Sequence, residues 1–451
     1  MGADLSRLDI VEAGRRLRAR TVTAEALTEA CLAAIAARND ELRAFITVTA
    51  DSARAAARQA DHELSAGADR GPLHGIPIAI KDLIDQTGTP TTAGSHVPPA
   101  RPAAADAVVV ERLRAAGAVL VGKTNLHEYA FGTTSEDSAF GPVRHPLDPS
   151  RSAGGSSGGS AAAVLAGMAL AALGTDTGGS VRIPSAACGL VGLKPGLGEV
   201  PVDGVVPLSA TLDHVGPLAR TVTDAAALHA VLTRGAPRAL RPPDMRRVTL
   251  ARLTGYFEEL LDGTVRAAYG RALDRLARAG ARIVDRALPH AGDVPAIYLH
   301  IVLPEAAAWH APTLERCPER YTPNVRLRLE VGRYVLAEDY LRARAAQAVV
   351  RGEVDAALDG ADALVAPALA ITAPTLGLDQ VAFDGRREPV RAVMLRLTQA
   401  FNLSGHPAIV LPCPPAPSEL PAGLQLVGRH ARTWALLDLA AGVERGLGQV
   451  K

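Results

Sequence analysis

The sequence predicts an α/β protein with an N-terminal helical segment, and three observations lead to that class. Strand, helix and strand patterns follow one another between Gly75 and Gly122, the order of a parallel crossover unit. A glycine- and serine-rich stretch at 150–160 runs at once into an alanine-rich helix and then an apolar strand. Short apolar strands return near the end, at Ala363–Ala366, Ala408–Leu411 and Leu424–Val427, and are expected to rejoin the same sheet.

Residues 1 to about 65 read as helices. Thr23 is the expected N-cap of a segment whose apolar positions include Ala26, Leu27, Ala30, Cys31 and Ala34, and a second helix is expected over Ser52–Leu64. In GIPIAIKD (Gly75–Asp82), Ile76, Ile78 and Ile80 alternate with Pro77, Ala79 and Lys81, the period of a strand. Lys81 therefore ends a strand on the face opposite the isoleucines, and Asp82 points away from it. Asp106 is the expected N-cap of a helix over Ala107–Ala116, followed by a buried strand at Ala118–Gly122. Composition alone would make Ser150–Ser160 a flexible linker. Its position between tightly alternating elements predicts an ordered loop, with a helix from Ala161 to Ala166 and a strand from Ala169 to Gly174. Beyond about residue 235 the chain is rich in Arg and Ala, with a helix over Thr264–Ala279 and no internal repeat.

Bulk properties exclude several classes of function. The 451 residues carry 48 Lys+Arg against 47 Asp+Glu, so there is no electrostatic reason to expect nucleic acid or an anionic membrane as partner. Hydrophobic content of 48 % and charged content of 21 % fit a soluble globular protein. Cys31, Cys188, Cys317 and Cys413 are widely spaced and form no CxxC pair, which suggests free thiols rather than a zinc site or disulfide framework. The N-terminal residues lack a signal-peptide pattern, and the longest apolar run, Ala161–Leu173, is too short to span a bilayer. A cytoplasmic location is expected. No motif implies a metal or an organic cofactor.

Two serines stand in glycine-rich settings, Ser156 and Ser180. A serine hydroxyl is a weak nucleophile that needs a base nearby and donors for the developing oxyanion. Thr177, Gly178, Gly179 and Ser180 offer consecutive backbone N–H groups after a strand, where active sites of α/β sheets form. Gly154–Gly158 also fits the GxSxG nucleophile elbow of α/β-hydrolases, but that elbow needs a strand directly before it, and the proline-containing VRHPLDPSRSA does not read as one. A phosphate loop is a poor match because no Gly-Lys-Ser/Thr follows the glycines. Ser157 and Ser160 read as loop hydrogen-bonders or caps, Asp176 and Arg182 as residues that hold the loop rigid or bind substrate, and His127 and His214 as structural.

GGSSGGSAAAV (Gly154–Val164) and GTDTGGSVRIPSAACGLVGLKP (Gly174–Pro195) resemble the central signature of the amidase-signature family. The resemblance extends through GIPIAIKD, TTAGS (Thr91–Ser95), GKTNLHEYAFG (Gly122–Gly132), LDHVGPLARTVTD (Leu212–Asp224), FNLSGHPAIVLP (Phe401–Pro412) and GLQLVGR (Gly423–Arg429), and is weakest over 235–360. It implies a large mixed, twisted β-sheet covered by helices on both faces. It implies Lys81 as base, Ser156 as bridging serine after a cis peptide bond, and Ser180 as acyl-accepting nucleophile. Burial would have to bring Lys81 toward neutrality, which implies an alkaline activity optimum.

The whole chain, 1–451, is then expected to be one domain. Its parts would be an N-terminal helical segment (1–65), the signature core (75–225), a variable helical pocket region (235–360) and a C-terminal part returning to the sheet (361–451). The resemblance implies hydrolysis of a small-molecule amide, carbamate, anilide or ester by a monomer or homodimer. Tyr129, Phe131, Gly132 and Thr133 are expected to shape the pocket. Two other roles are carried forward: the glutaminase-type subunit of a tRNA-dependent amidotransferase, and a non-catalytic scaffold.

Overall fold

The GIPIAIKD segment forms the second strand of an eleven-stranded sheet in the computed structural model, which describes residues 4–97, 102–236, 238–383, 385–414, 416 and 419–448. In chain order the strands are β1 (Phe45–Val48), β2 (Pro77–Lys81), β3 (Val119–Thr124), β4 (Arg144–His145), β5 (Asp148–Ser152), β6 (Ala171–Thr175), β7 (Val191–Lys194), β8 (Val215–Ala219), β9 (Thr249–Leu253), β10 (Arg282–Arg286), β11 (Ala363–Pro367), β12 (Gln380–Phe383), β13 (Arg386–Pro389), β14 (Ala408–Pro412) and β15 (Gly423–Val427). The main sheet runs β1-β3-β2-β6-β8-β7-β14-β15-β11-β9-β10, while β4–β5 and β12–β13 form separate ribbons. β2 pairs in parallel with β3 and β6, and β9 with β10 and β11. The other main-sheet pairs are antiparallel. Helices flank this mixed sheet, and every residue of β2, β3 and β6 is buried, as expected of strands covered on both faces.

The glycine- and serine-rich stretch is ordered and leads into a helix that starts at Gly158, earlier than its alanine run suggested. Gly159 explains the need for a residue without a side chain: a Cβ there would lie 2.3 Å from the Asn125 carbonyl oxygen and 2.5 Å from that of Ala44. The three late strands do rejoin the main sheet. Thr23 caps the helix Ala24–Leu42 by accepting from the Ala26 N–H.

Three expectations are corrected. Residues 1–65 are not wholly helical: Phe45–Val48 forms edge strand β1, antiparallel to β3. Four residues between two helices, entered through left-handed Arg43 (φ 51°), are too few to show a period. Asp106 does not cap the helix Val108–Ala115. Its carboxylate instead accepts from the Thr87 N–H and pairs with Arg114 at 2.8 Å. VRHPLDPSRSA does contain strands, β4 and β5, but they pair with each other outside the main sheet.

The segment 235–360 contributes β9 and β10 as well as helices such as Val294–Arg316 and Ala337–Ala357. Cys31, Cys188 and Cys413 are buried free thiols and Cys317 is a half-buried one. Among the described residues no helix is long and apolar enough to cross a membrane.

Candidate active site

Lys81 ends β2, and the β2–β6 register sets it beside the C-terminal end of β6. Its Nζ lies 2.8 Å from Ser156 Oγ and 2.7 Å from Thr175 Oγ1, with the side chain fully buried. Burial disfavours the ammonium and pushes its pKa down to about 7, against the opposing pull of Asp176 and Asp213. Asp82, one residue on, serves the other face. It pairs with Lys123 at 2.7 Å and accepts from Thr92, so it does not hold a proton on Lys81 by direct contact.

Ser156 sits in the loop between β5 and the helix Gly158–Leu165, after a cis Gly155–Ser156 peptide. Its carbonyl accepts from the His127 N–H and the Ser135 hydroxyl. Ser157 ties this loop to the next one: its N–H donates to the Ser180 carbonyl at 3.2 Å, and its hydroxyl donates to the Thr175 carbonyl. Ser160 likewise bonds within the fold, to the Leu173 carbonyl and the Thr124 hydroxyl. The hydroxyl of Ser156 meets Lys81 and not a histidine, unlike the nucleophile of a Ser-His-Asp elbow.

Ser180 closes the turn that follows β6. At the base of the turn, the Asp176 and His214 backbones exchange hydrogen bonds. The Asp176 carboxylate accepts from the N–H groups of Val181 and Arg182, from the Arg182 guanidinium at 3.0 and 3.1 Å, and from Asn402. These contacts hold that carboxyl well below the usual range although the group is buried. Arg182 in turn donates to Thr398, Asn402 and Gln425. Among the described residues, the N–H groups of Thr177, Gly178, Gly179 and Ser180 donate to no protein acceptor. Thr177 is held through its hydroxyl, 2.5 Å from Asp213. The glycines leave room for their neighbours: a Cβ on Gly178 would lie 2.6 Å from the Tyr298 hydroxyl, and one on Gly179 (φ 140°) 2.3 Å from Thr398 Oγ1.

Ser180 faces a narrow cleft, of about 10 Å³, which it lines with Phe131, Gly132, Thr133, Tyr298 and Arg391 among others. Its hydroxyl has no protein hydrogen bond among the described residues, so Lys81–Ser156 is the formed half of the expected relay and Ser156–Ser180 is not a hydrogen bond here. Tyr129 does not line the cleft. Its ring packs against Trp309, His310 and Tyr321, centroids 4.3–6.1 Å away. Sequence reading missed Thr175, although it lies inside GTDTGGS, and Asp213 inside LDHVGP. Tyr298 and Arg391 stand outside any motif and reach the cleft only through tertiary packing.

An extended mixed sheet with a buried lysine, two serine loops and a row of free amides describes a hydrolytic enzyme of the amidase class. A family model described as Amidase matches residues 26–437, and the chain belongs to that family; it is an amidase-family hydrolase of C–N bonds. It is 39 % identical over 484 residues to a glutamyl-tRNA(Gln) amidotransferase subunit of Anaeromyxobacter sp. (strain K), covering 99 % of this chain and 97 % of that protein. To an amidase of Pseudomonas putida it is 40 % identical over 428 residues, covering 91 % and 90 %. A solved structure titled as the crystal structure of amidase superposes with a TM-score of 0.92 at 39 % identity, covering 98 % of this chain and 100 % of that one.

Proposed function

We propose that the protein hydrolyses a small non-peptide amide through an acyl-enzyme on Ser180, with Ser156 as bridge and Lys81 as base. The observation that carries this reading is the buried Lys81, pushed down to about 7 and 2.8 Å from Ser156 Oγ. A neutral Lys81 accepts the Ser156 proton while Ser156 accepts that of Ser180, and Ser180 Oγ attacks the carbonyl carbon. The oxyanion is received by the N–H groups of 177–180. The proton returns through Ser156 to the departing amine as the C–N bond breaks. Water then attacks the ester by the same route, so amide and water become acid and amine. Acylation by this route requires a Ser156–Ser180 hydrogen bond, which the structure does not contain. Asp176, Arg182 and Ser157 position the loops without touching the reacting atoms.

Intact-mass spectrometry after fluorophosphonate treatment tests the assignment. One adduct on Ser180, absent in Ser180→Ala and slowed in Ser156→Ala and Lys81→Met, is expected. An adduct on Ser156 that is indifferent to Lys81 would overturn it, and no adduct on folded protein would favour the scaffold reading.

A second reading has its own support. The alignment to the amidotransferase protein covers 99 % of this chain, so the segment 235–360 does not by itself set a stand-alone hydrolase apart from a glutaminase component. Release of ammonia from glutamine only when the other amidotransferase components are added would select that role. Turnover of simple amides by the isolated chain would select the stand-alone one.

A further inference from the structure

Arg391 is a half-buried charge with no protein partner among the described residues. It belongs to the short helix Val390–Leu395, which follows β13, and its Nε is buried with no hydrogen bond. Among the described residues it makes neither a hydrogen bond nor a salt bridge, whereas Arg182, which is fully buried, makes five side-chain hydrogen bonds. Burial lowers the Arg391 pKa, and no carboxylate offsets that. The acids on neighbouring walls are engaged elsewhere: Asp137 with His127 and Asn324, and Glu136 with the Gly377 N–H. Asp379 and Glu388 line adjoining cavities without pairing with Arg391. Arg328, which lines one of those cavities, adds a like charge; its guanidinium is committed to the Phe131 carbonyl at 2.7 Å.

Its position is as unusual as its isolation. Arg391 lines the cleft of Ser180 and also two roomier cavities, of about 240 and 190 Å³. A guanidinium carries five donors, and leaving its buried Nε unpaired is costly. It is also suited to bidentate recognition of a planar anion.

We propose that Arg391 binds an anionic group, a carboxylate or its planar equivalent, on the amide substrate whose carbonyl is presented to Ser180. This rests on the Ser180 reading and narrows its substrate class to small anionic amides. Removing Arg391 strands no hydrogen-bonded or ionic partner among the described residues.

The test compares Ser180 labelling by 3- and 4-(fluorosulfonyl)benzoate with labelling by the matching neutral benzamides, in wild type, Arg391→Gln and Arg391→Lys. At low salt, at least one benzoate is expected to react about 10-fold or more faster than its benzamide, the scale of a charge-assisted pair. Arg391→Gln is expected to abolish that preference while leaving benzamide labelling within about 2-fold and thermal stability equal or higher, and Arg391→Lys to keep part of it. Equal ratios in wild type and Arg391→Gln, or a loss that falls on both reagents alike, would overturn the anion site while leaving the nucleophile intact. No labelling of Ser180 by any reagent would instead sink the nucleophile on which the proposal rests.

Discussion

Lys81, fully buried, and Arg391, half-buried, are two basic side chains near Ser180 that the fold treats in opposite ways. Lys81 faces two hydroxyls, and burial brings its pKa to about 7. In the proposed relay neutral Lys81 is the working form, so kcat/KM on an uncharged amide is expected to rise about 10-fold per pH unit up to about pH 7 and then level off. A profile that peaked below pH 6 would contradict a lysine base. The stability linkage has the same sign: between about pH 7 and the unfolded lysine value near 10.4, the unfolded chain holds a proton that the folded one does not. Stability attributable to this group therefore rises with pH across that window, and urea titrations of Lys81→Met are expected to lack that part of the slope. Both serines stood out in the sequence because they lie in motifs dense with small residues, and Lys81 through the family resemblance of GIPIAIKD. Arg391 did not. It is one arginine in an arginine-rich half, and nothing in its neighbours reveals that three cavities meet around it.

The loop between β6 and the helix Arg182–Cys188 is held by a buried ion pair within a wider hydrogen-bond network. Asp176 and Arg182 are both fully buried, and such a pair is weak evidence of net stabilisation but expensive to break. Asp176→Asn and Arg182→Gln are each expected to lower unfolding free energy by about 3–5 kcal/mol in urea. Their double variant should lose less than the sum, because the partners share one network. Losses below about 1 kcal/mol would mean that the rest of the network holds the loop without the ion pair. Gly178→Ala tests the same element sterically. The added Cβ would press on the Tyr298 hydroxyl, and a fall in acylation rate with little change in stability is the expected signature. The sequence placed the elements that carry the site, as β2, β3 and β6 show. It failed where local signals were short or ambiguous: β1 has only four residues, and Asp106 found Thr87 and Arg114 instead of a helix end.

At the scale of the molecule, every part of the chain enters one sheet. β1 comes from the N-terminal segment, β9 and β10 from the variable region, and β11, β14 and β15 from the last ninety residues or so. With the strands so interleaved, the four sequence segments are expected to unfold as one cooperative unit. Fluorescence and far-UV dichroism should then trace coincident urea transitions, and separated midpoints would divide the chain into independent domains.

The reach of Arg182 across to Thr398, Asn402 and Gln425 also bears on the enzyme's birth. Ser180 leaves the ribosome more than two hundred residues before the groups that fix its loop. A nascent chain halted near residue 380 would carry both serines and the lysine, yet lack the scaffold that arms them. Such stalled chains are expected to resist fluorophosphonate, with reactivity appearing only once the final strands have emerged. Catalytic competence would thus be a late event in synthesis, withheld until the last pieces of the sheet are in place.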